Sequence, residues 1–106
     1  MKGERLGEFE ELLLLALQAL QEDTYVVPVQ QYLERISGRS VSLGAVYAGL
    51  DRLELKGFVR SALGEATAER GGKRKRLFSV THAGVRTVQE ARRVREAIWR
   101  VIEEKR

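Results

Sequence analysis

At 106 residues, with 43% hydrophobic and 32% charged side chains, the chain has the balance of one globular domain with a modest core, not of a disordered segment. It has no cysteine, which excludes disulfides and thiolate metal sites, and its longest apolar run, residues 12–17, is too short to span a bilayer. A net charge of +4 leans towards an acidic partner such as nucleic acid, although proteins of this charge that bind none are common.

The first predicted helix covers residues 8–21. Phe9, Leu12, Leu13, Ala16, Leu17 and Leu20 follow helical spacing and form one apolar stripe. Leu14 and Leu15 lie off that stripe, so the helix has a second greasy side. In so short a chain another subunit is expected to cover it, with packing inside one protomer as the alternative. Residues 1–9 carry Glu4 and Glu8 and no apolar signal core, so a cytoplasmic protein with no membrane partner is expected.

A second helix is predicted from near Pro28, a residue favoured in the first helical turn. Val29, Leu33 and Ile36 make its stripe with Tyr32 beside it, and Gly38 ends it. A third helix follows Ser42, a good N-cap. Leu43, Val46, Leu50 and Leu53 recur at core spacing, and Lys56 and Gly57 close the helix. The opposite face reads Ser42, Ala45, Gly49, Arg52 and Lys56. Gly49 costs about 1 kcal/mol against alanine inside a helix. A small face with a basic residue suits close approach to a DNA major groove. A plain solvated face would show the same pattern.

After Gly57 the pattern turns to strands, over residues 58–63 and 76–80, with Phe78 and Val80 on one face. Between them runs a long hairpin tip in which Arg70, Lys73, Arg74, Lys75 and Arg76 crowd around Gly71 and Gly72. Such a tip can reach phosphates or a minor groove. Glu65 and Glu69 dilute it, and a charge run is often only solvated surface; its place after two helices joined by a tight turn favours nucleic acid.

The last helix is predicted from its cap, Thr81, almost to the end. Ala91, Val94, Ile98 and Val101 step by three, four and three residues, a heptad-like seam that Val88, Trp99 and Ile102 widen. The seam points to dimerisation, with Phe9, Leu13, Val94, Ile98, Trp99, Val101 and Ile102 at the interface.

Several stretches in order resemble the PadR family of bacterial transcriptional regulators. They are Leu6-Gly7-Glu8-Phe9-Glu10, Ser40-Val41-Ser42-Leu43-Gly44-Ala45-Val46-Tyr47, Leu50-Asp51-Arg52-Leu53-Glu54 with Lys56-Gly57, and the run from Glu69 to Arg76 followed by Leu77-Phe78 and Thr81-His82-Ala83-Gly84. The resemblance covers nearly the whole chain and implies a mainly α protein with a small β-hairpin. The architecture would be a winged helix-turn-helix over residues 1–80 and a C-terminal dimerisation helix over 81–106. It further implies repression by operator binding as a homodimer, and it is similar to the short branch of the family with a single C-terminal helix. Carried over by position, the third helix becomes the recognition helix. Ser42, Tyr47 and Arg52 would then face double-stranded DNA, with Arg70, Lys73, Arg74 and Lys75 in the wing. The chain departs from the family at Val26, Val27 and Pro28, where a glycine often follows the tyrosine, at Leu77-Phe78, and at His82, where proline is frequent.

Trp99 has two readings. It is an interface anchor, or paired Trp99 rings flank a space between subunits, lined also by Leu14 and Leu15, where a flat aromatic inducer could stack. No catalytic residue, cofactor or metal is expected: His82 is the only histidine, and Gly71-Gly72-Lys73 lacks the strand–loop–helix setting of a phosphate-binding loop. The rival function is a winged-helix protein-interaction module; an RNA binder fits less well, because the wing has no aromatics for stacking.

Overall fold

The computed structural model describes residues 5–21, 23–64 and 74–106. Among them are four helices and one hairpin, in the order α1 (Glu8–Leu20), α2 (Val26–Ser37), α3 (Leu43–Leu55), β1 (Val59–Leu63), β2 (Arg76–Val80) and α4 (His82–Glu104).

Local chemistry explains most of the boundaries. Gln21 takes a left-handed conformation, φ 68°, and returns its N–H to Leu17 and Gln18, which ends α1. Pro28 falls in the third helical position of α2, where its missing N–H leaves nothing unpaired, because the first four N–H groups of any helix lack an internal partner. Gly38, φ 71°, stops α2. The short link to α3 is then tied back onto α2: Gln30 donates its side-chain amide to the Val41 carbonyl at 2.8 Å, and Glu34 accepts the Val41 N–H at 2.8 Å. Ser42 caps α3 by accepting the Ala45 N–H at 3.0 Å. Thr81 caps α4 through Gly84 and donates its hydroxyl to the Gly57 carbonyl at 2.7 Å, joining the start of α4 to the end of α3.

The strands pair antiparallel from Val59 opposite Val80 to Leu63 opposite Arg76. Thr24, in the link between α1 and α2, exchanges backbone hydrogen bonds with Phe78 on the other edge of β2. The hairpin is therefore built into the helical body, and Phe78 is fully buried.

The core draws Leu13, Leu14, Ala16 and Leu17 from α1, Val29 and Leu33 from α2, and Val46, Leu50 and Leu53 from α3, closed by Phe58, Val59, Phe78 and Val88. Several expectations change here. Leu13 and Leu14 are wholly buried within the protomer, so neither is free for a dimer interface or a ligand space between subunits. The cause is the central place of α1, which packs against α2, α3, β2 and α4. Leu12 and Leu15 point outward instead. Leu43 and Ile36, both assigned to apolar stripes, are exposed because they stand in the end turns beside the α2–α3 link, where no element covers them.

Two glycines give opposite expectations for substitution by alanine. At Gly84 a Cβ would run into the Phe58 carbonyl oxygen and come within 2.8 Å of Val80 Cγ1, whereas at Gly44 it would meet open space. Alanine gains roughly 1 kcal/mol of helix propensity at either place. Overpacking against backbone outweighs that gain only at Gly84. Gly84→Ala should lower unfolding free energy by about 1–3 kcal/mol, and Gly44→Ala should leave it equal or raise it. Urea melts of the two variants check this; equal stabilities would refute the close seating of α4 on the chain around Phe58.

Candidate nucleic-acid interface

The capped start of α3 and the link before it are exposed, and they place Ser42, Arg39 and Ser40 along one groove with Phe9 and Leu12 of α1. The outward face of α3 consists of Gly44, Tyr47, Ala48, Asp51 and Leu55. This is not the face expected from spacing. Gly49 is buried: a Cβ there would run into Leu13 and lie 3.5 Å from the Phe9 ring. Gly49 therefore lets α3 approach α1 and does not help it approach DNA. The expected face splits along the helix, with Ser42 and Ala45 exposed and Gly49, Arg52 and Lys56 turned towards α1.

A carboxylate explains that turn. Glu10, in the first turn of α1, is 4% exposed. Arg52 Nε donates to its Oε2 at 3.0 Å and Lys56 Nζ to its Oε1 at 2.8 Å. The Gly7 N–H adds a bond of 2.7 Å, the half of a capping box that a glycine N-cap can form. Lys56 also reaches the Arg5 carbonyl at 2.6 Å. Arg52 keeps half of its side chain in solvent, whereas Lys56 is largely covered. Burial alone would favour the neutral acid, but the hydrogen bonds from Gly7, Lys56 and Arg52 outweigh it and hold Glu10 below the ordinary carboxylate range.

A second cluster ties the wing to α3. Arg76, at the base of β2, pairs with Asp51 at 3.1 Å and with Glu54 at 2.5 Å. Its Nε donates to Ser61 Oγ at 3.1 Å, and that hydroxyl donates to Glu54. The Ser61 hydroxyl, against the cost of burial and with help from Arg76, keeps Glu54 below the ordinary carboxylate range. Arg76, expected among the wing's DNA-facing cations, is thus engaged in holding the wing. Lys75 lies over the Tyr25 ring, 3.9 Å from its centroid, and Arg74 is exposed with its Nε on the Gly64 carbonyl at 2.7 Å. Arg70 and Lys73 fall outside the described residues.

The remaining candidates lie at the far end of α4. Val94, Ile98, Trp99, Val101 and Ile102 are all exposed, while Phe9 is half-buried against the core. Arg95 pairs with Glu11 of α1 at 2.8 Å. Spacing gave no sign of Glu10, Glu11, Asp51 or Glu54 as partners of these cations, because the pairs join residues distant in sequence. Arg39, three residues before the Ser42 N-cap, joins the site through the α2–α3 link.

Three helices followed by a hairpin, with a bonded link joining α2 to a capped and half-exposed α3, define a winged helix-turn-helix. Residues 13–90 match the Transcriptional regulator PadR-like family, and the chain belongs to that family of transcriptional regulators. A PadR-like transcriptional regulator from Bacillus cereus has a similar structure: TM-score 0.72, 18% identity, 91% of this chain and 88% of that one covered. A PadR family transcription regulator from Clostridium difficile gives a TM-score of 0.69 at 20% identity, with 92% and 97% covered. A transcriptional regulator from Clostridium thermocellum gives 0.70 at 20% identity, with 90% and 89% covered. These identities speak to the fold alone. No curated protein matches the chain.

The depressed value of Glu10 has a stability consequence. A carboxyl with a folded-state pKa below its unfolded one adds stability that is complete above the unfolded value, about 4.3, and lost as pH falls through the folded value. Glu10→Gln should therefore lie below the wild type by roughly 1–3 kcal/mol at neutral pH. The gap should close as pH drops below about 4. Thermal melts across pH check it, and a gap independent of pH would mean that Glu10 titrates alike in the folded and unfolded chain, so that its charged partners add no net stability.

Proposed function

We propose that the protein is a repressor that holds operator DNA as a homodimer through its winged helix-turn-helix. The observation that carries this reading is the outward face of α3, where Tyr47 stands between the small residues Gly44 and Ala48 on a face with no cation. A helix of that kind can be inserted deeply, and charge for the phosphates is supplied from its margins. Ser42 and Tyr47 are assigned to contacts within or beside the major groove. Arg52, with Nε on Glu10 and its outer edge half exposed, suits a phosphate better than a bidentate base contact. Arg39, beside Ser42, and the wing residues Arg70, Lys73, Arg74 and Lys75 are assigned to phosphates or the minor groove.

Residues 81–106 serve in this reading as the dimerisation helix. The exposed seam of Val94, Ile98, Trp99, Val101 and Ile102 supports it, and Leu15 of α1 adds a further exposed apolar side chain. Phe9, half-buried against the core, lines the groove beside Ser42 instead. Two copies would cover apolar surface that one leaves in water. Trp99 rings brought together there, with Leu15 beside them, could receive a flat aromatic inducer that releases the operator.

Changing Lys73, Arg74 and Lys75 together to alanine should weaken operator and random duplex alike. It should also flatten the dependence of log K on log salt by roughly 0.9 per lost phosphate contact. Salt titration of a folded variant checks this, and an unchanged slope removes the wing from the interface. Ile98→Lys should convert the dimer to a monomer in sedimentation, because a charge would be buried in the seam. In the intact dimer a flat aromatic effector should quench Trp99 saturably, in step with operator release. A dimer that survives Ile98→Lys argues against the seam, and absence of saturable quenching over a broad panel leaves Trp99 as packing.

A further inference from the structure

Glu10 is more charge than the packing requires. α1 is rich in leucine, and replacing a buried ion pair with apolar side chains is often neutral or stabilising. The best-attested use of a buried pair is to fix one geometry among several. Here the geometry is the seat of α3 on α1. Gly49 brings the α3 backbone against Leu13 and Phe9. A glycine contact sets the distance between two helices but leaves α3 free to slide or roll on its neighbour. Arg52 and Lys56 stand four residues apart on the same side of the chain, and Glu10 holds one with each oxygen. Two directional bonds from one carboxylate stop both motions.

We propose that Glu10 is a positioning residue for operator recognition, gripping Arg52 and Lys56 so that α3 meets DNA at one depth and one rotation. The proposal rests on the DNA-binding reading above. Glu10 acts through its partners, and it has a second effect on them. Arg52, half exposed, is offered to DNA at a fixed place, and Lys56 is withheld from phosphates altogether. Without the carboxylate charge both cations are free to follow any phosphate, and the helix they anchored loses its register.

The test compares the full-length protein with Glu10→Gln on two duplexes of equal length: an operator selected from genomic fragments by the wild type, and a random sequence. Glutamine keeps the shape and an acceptor for the Gly7 N–H but lacks the charge. Operator affinity is expected to fall about five- to a hundredfold, the scale of one base contact. Affinity for the random duplex should hold or rise, with a salt slope steeper by about 0.9 for each freed cation that finds a phosphate. Adding Arg52→Gln to Glu10→Gln should remove one such increment. A parallel loss on both duplexes with an unchanged slope would assign Glu10 to packing and overturn the proposal, as would an unchanged operator preference. If the wild type itself does not separate operator from random duplex, the DNA reading falls and the proposal with it. Should Glu10→Gln fail to fold, the double variant Arg52→Gln with Lys56→Gln carries the test. It should lose operator preference with no steepening, and preserved preference overturns the proposal.

Discussion

α2, α3, β2 and α4 all rest on α1, and the burial of Leu13, Leu14, Ala16 and Leu17 is the constraint the remaining structure obeys. Each leucine withdrawn from water contributes about 1.5–3 kcal/mol, a large share of the net stability a chain of this size can hold. A helix packed by four elements can do what a surface helix cannot: it links α3 to the long C-terminal helix α4. Its first turn carries that link in charge as well. Glu10 holds α3 through Arg52 and Lys56, and the next residue, Glu11, holds α4 through Arg95.

Electrostatics around α3 follow one pattern. Arg52 and Lys56 are matched by Glu10, and Arg76 is matched by Asp51 and Glu54. Cations that composition alone would assign to DNA are spent on internal geometry, which leaves the outward face of α3 without a positive side chain. Among the described residues, the cations at the margins include the outer edge of Arg52, Arg39 in the α2–α3 link and Arg74 and Lys75 in the wing stem. In the DNA-binding reading proposed above, such a division separates affinity from reading. Phosphate attraction is long-ranged and indifferent to sequence, whereas base contacts demand a helix held at a fixed depth. The Arg76 cluster serves the same end, because a wing anchored to α3 moves with it.

The far half of α4 contributes little to the core. Val88 is buried, but Val94 and every residue after it are exposed, and the described protein is long, 59 × 32 × 21 Å. Ion pairs of Arg92 with Glu96 and of Arg93 with Glu90 support the helix along its polar sides. Among the described residues its apolar side has no cover from its own protomer. Stability of the helical body and exposure of the seam are thus separable, which suits the assembly role proposed for this helix.

The sequence by itself determined the element types and nearly all their limits, because those depend on neighbours in the chain. Helical spacing of leucines, the caps Ser42 and Thr81, the stops at Gly38 and Gly57 and the alternation around Phe78 are local signals, and the ordered motifs were enough for the family resemblance. What spacing could not settle was which side of a helix meets which neighbour. Spacing puts Gly49 on the DNA side, whereas it is the seat of α1, and puts Leu13 and Leu14 at a second subunit, whereas their own protomer buries them. Leu43 and Ile36 fit core spacing yet lie beyond the reach of the core. Only the tertiary structure decided these, and only it joined Glu10 to Arg52, 42 residues away, and Glu54 to Arg76, 22 residues away. A periodic pattern records that a face is apolar or small. The partner that makes it so is fixed by contacts between segments that local spacing does not encode.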